Sequence, residues 1–109
     1  MRRVNWFGTI LLQLPVTAFA GQIYGSLTTG GAAVPKADIE INCGGNVTRA
    51  ATSSDGSYRA NVPQQGRCTL TVASFPGRPS AAVFSYPNPA QYDFQLVKRP
   101  DGNYELRRQ

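Results

Sequence analysis

Lys36-Ala37-Asp38-Ile39-Glu40-Ile41-Asn42-Cys43 alternates without a break, each odd-numbered residue apolar and each even-numbered one polar. Successive side chains of an extended chain point to opposite faces, so this stretch predicts a strand with one buried and one wet face. A second stretch, Arg67-Cys68-Thr69-Leu70-Thr71-Val72, keeps the same period in the opposite phase. Each cysteine therefore belongs to its strand's inward series, Cys43 at the end of one and Cys68 at the start of the other. If the two strands are antiparallel neighbours, that end and that start meet. A Cys43–Cys68 disulfide then fits a closely spaced, non-hydrogen-bonded pair. An even cysteine count in so short a chain points the same way. Bridging positions 25 residues apart stabilises by about 3–4 kcal/mol in the chain-entropy picture. With no CxxC spacing to lower a thiolate pKa, the bridge reads as structural rather than redox-active.

Period-two alternation recurs outward from these strands, between clusters of Gly, Pro, Asn and Asp, and nothing after residue 20 shows helical periodicity of useful length. Strands are predicted near 22–28, 36–43, 47–52, 57–62, 67–74, 81–86, 91–97 and 103–107. Seven or eight short strands at this spacing favour an all-β, two-sheet sandwich over a barrel. Ser54-Asp55-Gly56 and Pro100-Asp101-Gly102 both suit a type I turn closed by a left-handed glycine. The second turn sets Arg99 opposite Asn103 and Leu96 opposite Leu106, so that Tyr92, Phe94, Leu96, Tyr104 and Leu106 share the inner face. The same arithmetic on the first turn places Thr52 opposite Tyr58 and Ala50 opposite Ala60.

The first twenty residues read differently. Met1-Arg2-Arg3, a mostly apolar run from Val4 to Val16 and Ala18-Phe19-Ala20 have the order of a secretory signal peptide, with cleavage expected between Ala20 and Gly21. The apolar run is too short for a stable membrane span, and no cysteine near the cleavage point offers a lipid attachment site. The expected product, residues 21–109, is a single domain, exported to the periplasm or beyond the cell, with no membrane span. Without Arg2 and Arg3 it carries nine basic and six acidic residues, a net charge of +3, too mild a balance to argue for nucleic acid.

The chain contains no histidine, which removes the commonest general base and the commonest metal ligand together. A Ser-His-Asp triad cannot form, no serine stands in an S-x-x-K arrangement, and Asp38 and Glu40 alternate on the wet face of one strand instead of flanking a cleft. The expectation is a protein that is not an enzyme and implies no cofactor. Asp55-Gly56 lacks further acidic residues at calcium-loop spacing and reads as a turn. Asn46-Val47-Thr48 is a glycosylation sequon.

Gly21-Gln22-Ile23-Tyr24-Gly25-Ser26-Leu27, Val34-Pro35-Lys36-Ala37-Asp38-Ile39, Thr52-Ser53-Ser54-Asp55-Gly56-Ser57-Tyr58 and Val62-Pro63 followed by Gly66-Arg67-Cys68-Thr69-Leu70 together resemble the carboxypeptidase regulatory-like domain. That family shows a G-x-x-x-G opening strand, a P-x-x-x-A-x-I entry, a T-x-x-D-G-x-Y hairpin and a V-P-x-x-G-x-Y/C-x-L segment in this order; here the entry, Pro35-Lys36-Ala37-Asp38-Ile39, is two residues shorter between proline and alanine. The resemblance covers residues 21–74. It implies a prealbumin-like Greek-key sandwich in which the second and fifth predicted strands are antiparallel neighbours. Members share a scaffold and no common activity, so the family implies no peptidase function here.

Two proline-rich segments remain, Ser74-Phe75-Pro76-Gly77-Arg78-Pro79-Ser80 and Ser85-Tyr86-Pro87-Asn88-Pro89. Phe75 and Tyr86 can stack on sugar rings and Arg78 can bond hydroxyls or carboxylates, so these three are the candidate ligand-binding residues. The bland alternative is that the prolines stiffen connections while Phe75, Phe84 and Tyr86 cap the core. Lys98, Arg99, Arg107 and Arg108 form a basic hairpin, read as solvated. The functional expectation is an exported, non-catalytic module with a structural or protein-binding role in the cell envelope. The alternatives are a carbohydrate-binding module and a small secreted inhibitor presenting residues 75–80; the partner is accordingly a protein or a glycan of the envelope.

Overall fold

In the computed structural model, which describes residues 21–109, the chain is all-β. The leader expected at residues 1–20 lies outside the described residues. The elements are β1 (Gln22–Thr29), β2 (Ala32–Ala33), β3 (Asp38–Cys43), β4 (Asn46–Ala51), β5 (Ser57–Asn61), β6 (Gly66–Val72), β7 (Ser80–Ser85), β8 (Ala90–Gln91), β9 (Phe94–Lys98) and β10 (Tyr104–Arg108). Among the described residues no helix is long and apolar enough to cross a membrane.

Two sheets face each other. One has the order β4-β3-β6-β7, antiparallel throughout. The other is built on β1, which pairs with β5 and β2 on one side and runs parallel to β8 and β9 on the other, with β10 added outside β9. Alternation sorts the side chains as the sequence predicts. Ile39, Ile41, Leu70, Val72 and Val83 from the first sheet meet Ile23, Leu27, Tyr58, Phe94 and Leu96 from the second, all buried. Each fully buried aliphatic or Phe side chain contributes about 1.5–3 kcal/mol, so this layer supplies most of the drive to fold.

Cys43 and Cys68 are bonded, with Cα atoms 4.4 Å apart. The β3–β6 register that pairs Asn42 with Thr69 places the two cysteines directly opposite, at the spacing of a non-hydrogen-bonded pair. β3 reaches β4 through Gly44-Gly45, both at positive φ, the two-residue turn whose twist matches a hairpin. The C-terminal turn also follows its predicted register: Leu96 faces Leu106, Arg99 N–H donates to the Asn103 carbonyl at 2.8 Å and Gly102 N–H to Arg99 at 3.0 Å. Tyr104 and Leu106 pack against the core from its margin.

Two expectations fail. The Ser54-Asp55-Gly56 turn forms, with Gly56 N–H on the Ser53 carbonyl at 2.9 Å and Ser53 N–H on that of Ser57 at 2.8 Å, but its arms do not make a ladder. β4 pairs with β3 and β5 with β1, so the turn is a corner between sheets and the Ala50–Ala60 pairing is absent. Thr52 causes the parting. Its hydroxyl is buried, donates to the Val34 carbonyl at 2.6 Å and accepts Ala37 N–H at 2.8 Å. The chain is thereby locked to the 34–37 turn rather than to β5.

The second failure is the single strand expected at 91–97, which is broken at Tyr92-Asp93. Both halves keep one register against β1, Ile23 with Ala90 and Leu27 with Phe94. At the break the Asp93 carboxylate accepts Ser26 N–H and Oγ–H, each at 3.0 Å, in place of a backbone carbonyl. The Tyr92 carbonyl lies so close to Gly25 that a Cβ there would overlap it. Glycine is required at 25 for this close approach.

Candidate functional site

The register of the β4-β3-β6-β7 sheet dictates what its outer face presents. Arg49, Glu40, Thr71 and Ser80 lie side by side across the four strands; Val47, Asn42, Thr69 and Ala82 form the next row; Arg67 and Phe84 follow. Val47, Phe84 and Tyr86 are the large apolar side chains left exposed among the described residues, at 42%, 40% and 50%. Two stand in these rows. Tyr86 follows Phe84 by two residues and stacks on it, ring centroids 6.2 Å apart and planes inclined by 15°. Phe84 and Tyr86 adjoin at the β7 edge, and Val47 stands exposed on the same face at the opposite, β4 edge.

Between the rows lies a shallow depression of about 510 Å³ lined by Glu40, Asn42, Gly44, Gly45, Val47, Arg67, Thr69, Thr71 and Arg78. Glu40, at one end, holds the Arg78 guanidinium at 2.9 Å and the Arg49 Nε at 3.7 Å. Arg67, toward the aromatic end, is in no ion pair among the described residues. With Asp38 exposed one row beyond Glu40 on β3, the face carries three guanidiniums against two carboxylates.

The residues singled out from sequence are distributed unequally over this surface. Tyr86 is on the aromatic end. Arg78 reaches the depression from the 74–80 loop with its own backbone in the left-handed region, φ 45°, and its N–H on the Phe75 carbonyl at 3.0 Å. Phe75 does not line the face. It turns in against the core margin and meets the Tyr104 ring edge-on at 5.0 Å, while the Pro76 carbonyl accepts Tyr104 N–H at 3.0 Å. The 75–80 loop is therefore strapped to β10 rather than presented as a free tip.

The basic hairpin is largely self-satisfied. Arg99 pairs with Asp101 at 3.4 Å and Arg107 with Glu105 at 2.8 Å. The hydrogen bond from Arg107 holds the Glu105 carboxyl below its ordinary range, and Arg108 lies 4.6 Å above the Tyr92 ring. Asp55, in the inter-sheet turn, accepts from the hydroxyls of Ser53 and Ser57 and from Ser57 N–H at 2.6–3.0 Å. These bonds, Ser53's foremost, lower its pKa to about 2; its partners are all turn residues. No group of three His, Cys, Asp or Glu side chains able to hold a metal occurs among the described residues.

Val47, Phe84 and Arg67 are among the members of this face that the sequence reading did not select as ligand-binding. A signal for Phe84 was present: in Ser80-Ala81-Ala82-Val83-Phe84-Ser85 an inward Val83 forces Phe84 outward. Its proximity to Arg67 depends on the β6–β7 register, which no local turn announces.

The assembly is a disulfide-stapled, two-sheet β-sandwich with a basic, partly aromatic outer face. No family model and no curated protein sequence matches the chain. Among solved structures it is similar to the Bacillus anthracis TIE protein, with a TM-score of 0.57 at 14% identity over 78% of this chain and 16% of that one. At that identity the likeness is one of fold.

Proposed function

We propose that residues 21–109 act outside the cytoplasm as a non-catalytic binding module whose contact surface is the outer face of the β4-β3-β6-β7 sheet. The observation that carries this reading is the exposed, adjoining Phe84 and Tyr86 pair on that face, with Val47 exposed at its other edge. Export is supported by the leader pattern ending in Ala18-Phe19-Ala20 and by the Cys43–Cys68 bridge, which persists in oxidising compartments. The carboxypeptidase regulatory-like assignment, with its prealbumin-like Greek key, is supported by the motif order over 21–74 and by the antiparallel pairing of β3 with β6. The resident partner is an envelope protein or glycan, and the near-parallel Phe84 and Tyr86 rings favour the glycan.

The test immobilises the purified, disulfide-bonded protein beside a Val47→Ser/Phe84→Ser/Tyr86→Ser variant and passes envelope fractions over both. A component retained by the wild type and lost from the variant, with thermal unfolding unchanged, is the expected result. Equal retention on both supports overturns the choice of face, and no retention on either overturns the binding role.

A further inference from the structure

Resting on that face as the contact surface, we propose that its ligand is a saccharide bearing a carboxylate, stacked on Phe84 and Tyr86 and held through its acid group by Arg67. The two rings lie 6.2 Å apart with planes only 15° from parallel. Each is about half exposed, although most aromatic rings of the described residues find partners inside the fold. Such a pair leaves apolar ring surface open to the C–H face of a pyranose unit. An open, exposed sheet face suits an extended chain of sugars better than a small molecule that needs enclosure.

Polar groups continue the platform. Arg67 stands opposite Phe84 in the β6–β7 register, and Asn42 and Thr69 lie beside it on the floor of the depression. The Asn42 Oδ1 already accepts Gly45 N–H at 2.8 Å, which turns the amide NH2 of Asn42 toward use as a donor. Hydroxyl and amide groups on an open sheet face match sugar hydroxyls.

Charge selects the acid. Arg67 has no carboxylate partner among the described residues, and its planar fork fits a carboxylate in bidentate fashion. Of the two acidic groups on the face, Glu40 is drawn off by Arg78 and Arg49 at the far end, and Asp38 stands one row farther still from Arg67. Neither therefore repels an anion bound beside Phe84. A neutral glycan would leave Arg67 unused, and a protein partner is an outcome of the test below.

The experiment is affinity electrophoresis and calorimetry of the disulfide-bonded protein with polygalacturonate, alginate and muramic-acid-containing peptidoglycan fragments, each beside its carboxyl-methylated form. Binding is expected for at least one acidic polymer and weaker binding for its ester. Arg67→Gln should weaken the acidic complex about ten- to a hundredfold and leave the weak binding of the ester unchanged. Tyr86→Ala should weaken both forms. Lys98→Gln/Arg99→Gln, away from the face, should change neither. Equal binding of acid and ester, insensitive to Arg67→Gln, overturns the carboxylate and leaves a glycan module. Binding lost in the Lys98/Arg99 variant and kept in Tyr86→Ala overturns the site, because a basic protein then meets a polyanion without recognition. No binding to any of the three polymers, with an envelope protein still retained through Phe84 and Tyr86, overturns the saccharide and leaves the contact face standing.

Discussion

The Tyr92 hydroxyl, carried by the sheet built on β1, closes onto the backbone of Phe84 in the opposite sheet. It accepts the Phe84 N–H at 2.9 Å and donates to the Phe84 carbonyl at 3.3 Å. Those two groups point away from β6 and would otherwise stand open on the β7 edge. Tyr92 is itself held from several sides: Tyr58 donates its hydroxyl to the Tyr92 carbonyl at 2.7 Å, Phe94 stacks on its ring and Arg108 covers the ring. One buried phenol thus joins the sheets and fixes the backbone from which an exposed platform ring projects.

Tyr92→Phe removes that hydroxyl alone. The expected loss is about 1–3 kcal/mol for leaving partly buried backbone groups unpaired, a fall of roughly 4–8 °C in Tm per kcal/mol for a domain of this size. Thermal unfolding at two protein concentrations also tests the edge: the variant should associate at high concentration where the wild type does not. An unchanged Tm at both concentrations would show that the clasp contributes nothing.

Thr52→Val keeps the shape of a buried side chain and deletes the hydroxyl that bridges Val34 and Ala37. Ala37 N–H then has no acceptor in a dry corner, and about 1–3 kcal/mol should go. Urea unfolding provides the measurement. A loss confined to a few tenths of a kcal/mol would mean that the 34–37 turn finds another acceptor.

Cys43→Ala/Cys68→Ala should cost about 3–4 kcal/mol, a large share of the stability of so small a sandwich. Because both cysteines are buried in the core, the paired substitution also leaves a small void, so the loss should not fall below the loop-closure figure. Denaturant midpoints of the variant and of the oxidised wild type decide it, and equal midpoints would remove the bridge from the account of the fold.

Much of this architecture is legible in alternation and turn chemistry. Ile39, Ile41, Leu70 and Val72 announce their face because they repeat with period two, and Pro100-Asp101-Gly102 announces a register because its turn type fixes the strands beside it. Thr52 is different: its weight lies in contacts to residues fifteen and eighteen positions away, and a threonine following a strand looks from sequence like any turn residue. Asp93 and Gly25 likewise act on each other's strands across a parallel pairing that no hairpin loop specifies. The face itself was half legible. Tyr86 and Arg78 were visible by composition, whereas Arg67 joins them only through the β6–β7 register, and Phe75 leaves them because Tyr104 supplies a partner from the far end of the chain.

Alkaline pH should destabilise the fold through Tyr58. Burial, reinforced by the nearby Asp93 charge, raises the pKa of this phenol well above its ordinary value of 10. The folded state therefore holds the proton more tightly than the unfolded state does. The stabilisation is complete below the unfolded value and is lost progressively as pH rises through it toward the folded one. Urea melts from neutral pH to about pH 11 should show the decline, and Tyr58→Phe should flatten it while lowering stability throughout, since the bond to the Tyr92 carbonyl is gone. Asp55 has the opposite sign. Its pKa is depressed from 3.8 to about 2, so its contribution is present above the unfolded value and disappears as pH falls through that range. Asp55→Asn should reduce the acid sensitivity. Parallel pH profiles of wild type and variants would sink both assignments.

Phe84→Ser and Tyr86→Ser separate binding from folding. Both rings lie on the wet side of β7, so neither substitution opens a cavity, and surface changes of this kind stay within about 0.5 kcal/mol. Tyr86 also serves the fold through its backbone, whose carbonyl accepts Gly21 N–H at 2.9 Å, and serine preserves that bond. Phe75→Ser is the contrasting case: it strips a ring that packs against the core margin and Tyr104, for which about 2–3 kcal/mol is expected, below the full cost of a buried phenylalanine. Denaturant midpoints should therefore order the three variants with Phe75→Ser far below the other two. Partner binding should follow the reverse order, abolished by changes at 84 and 86 and retained in Phe75→Ser under conditions where it is folded. Loss of binding only in proportion to loss of stability would mean that the stacked pair covers the sheet without recognising anything.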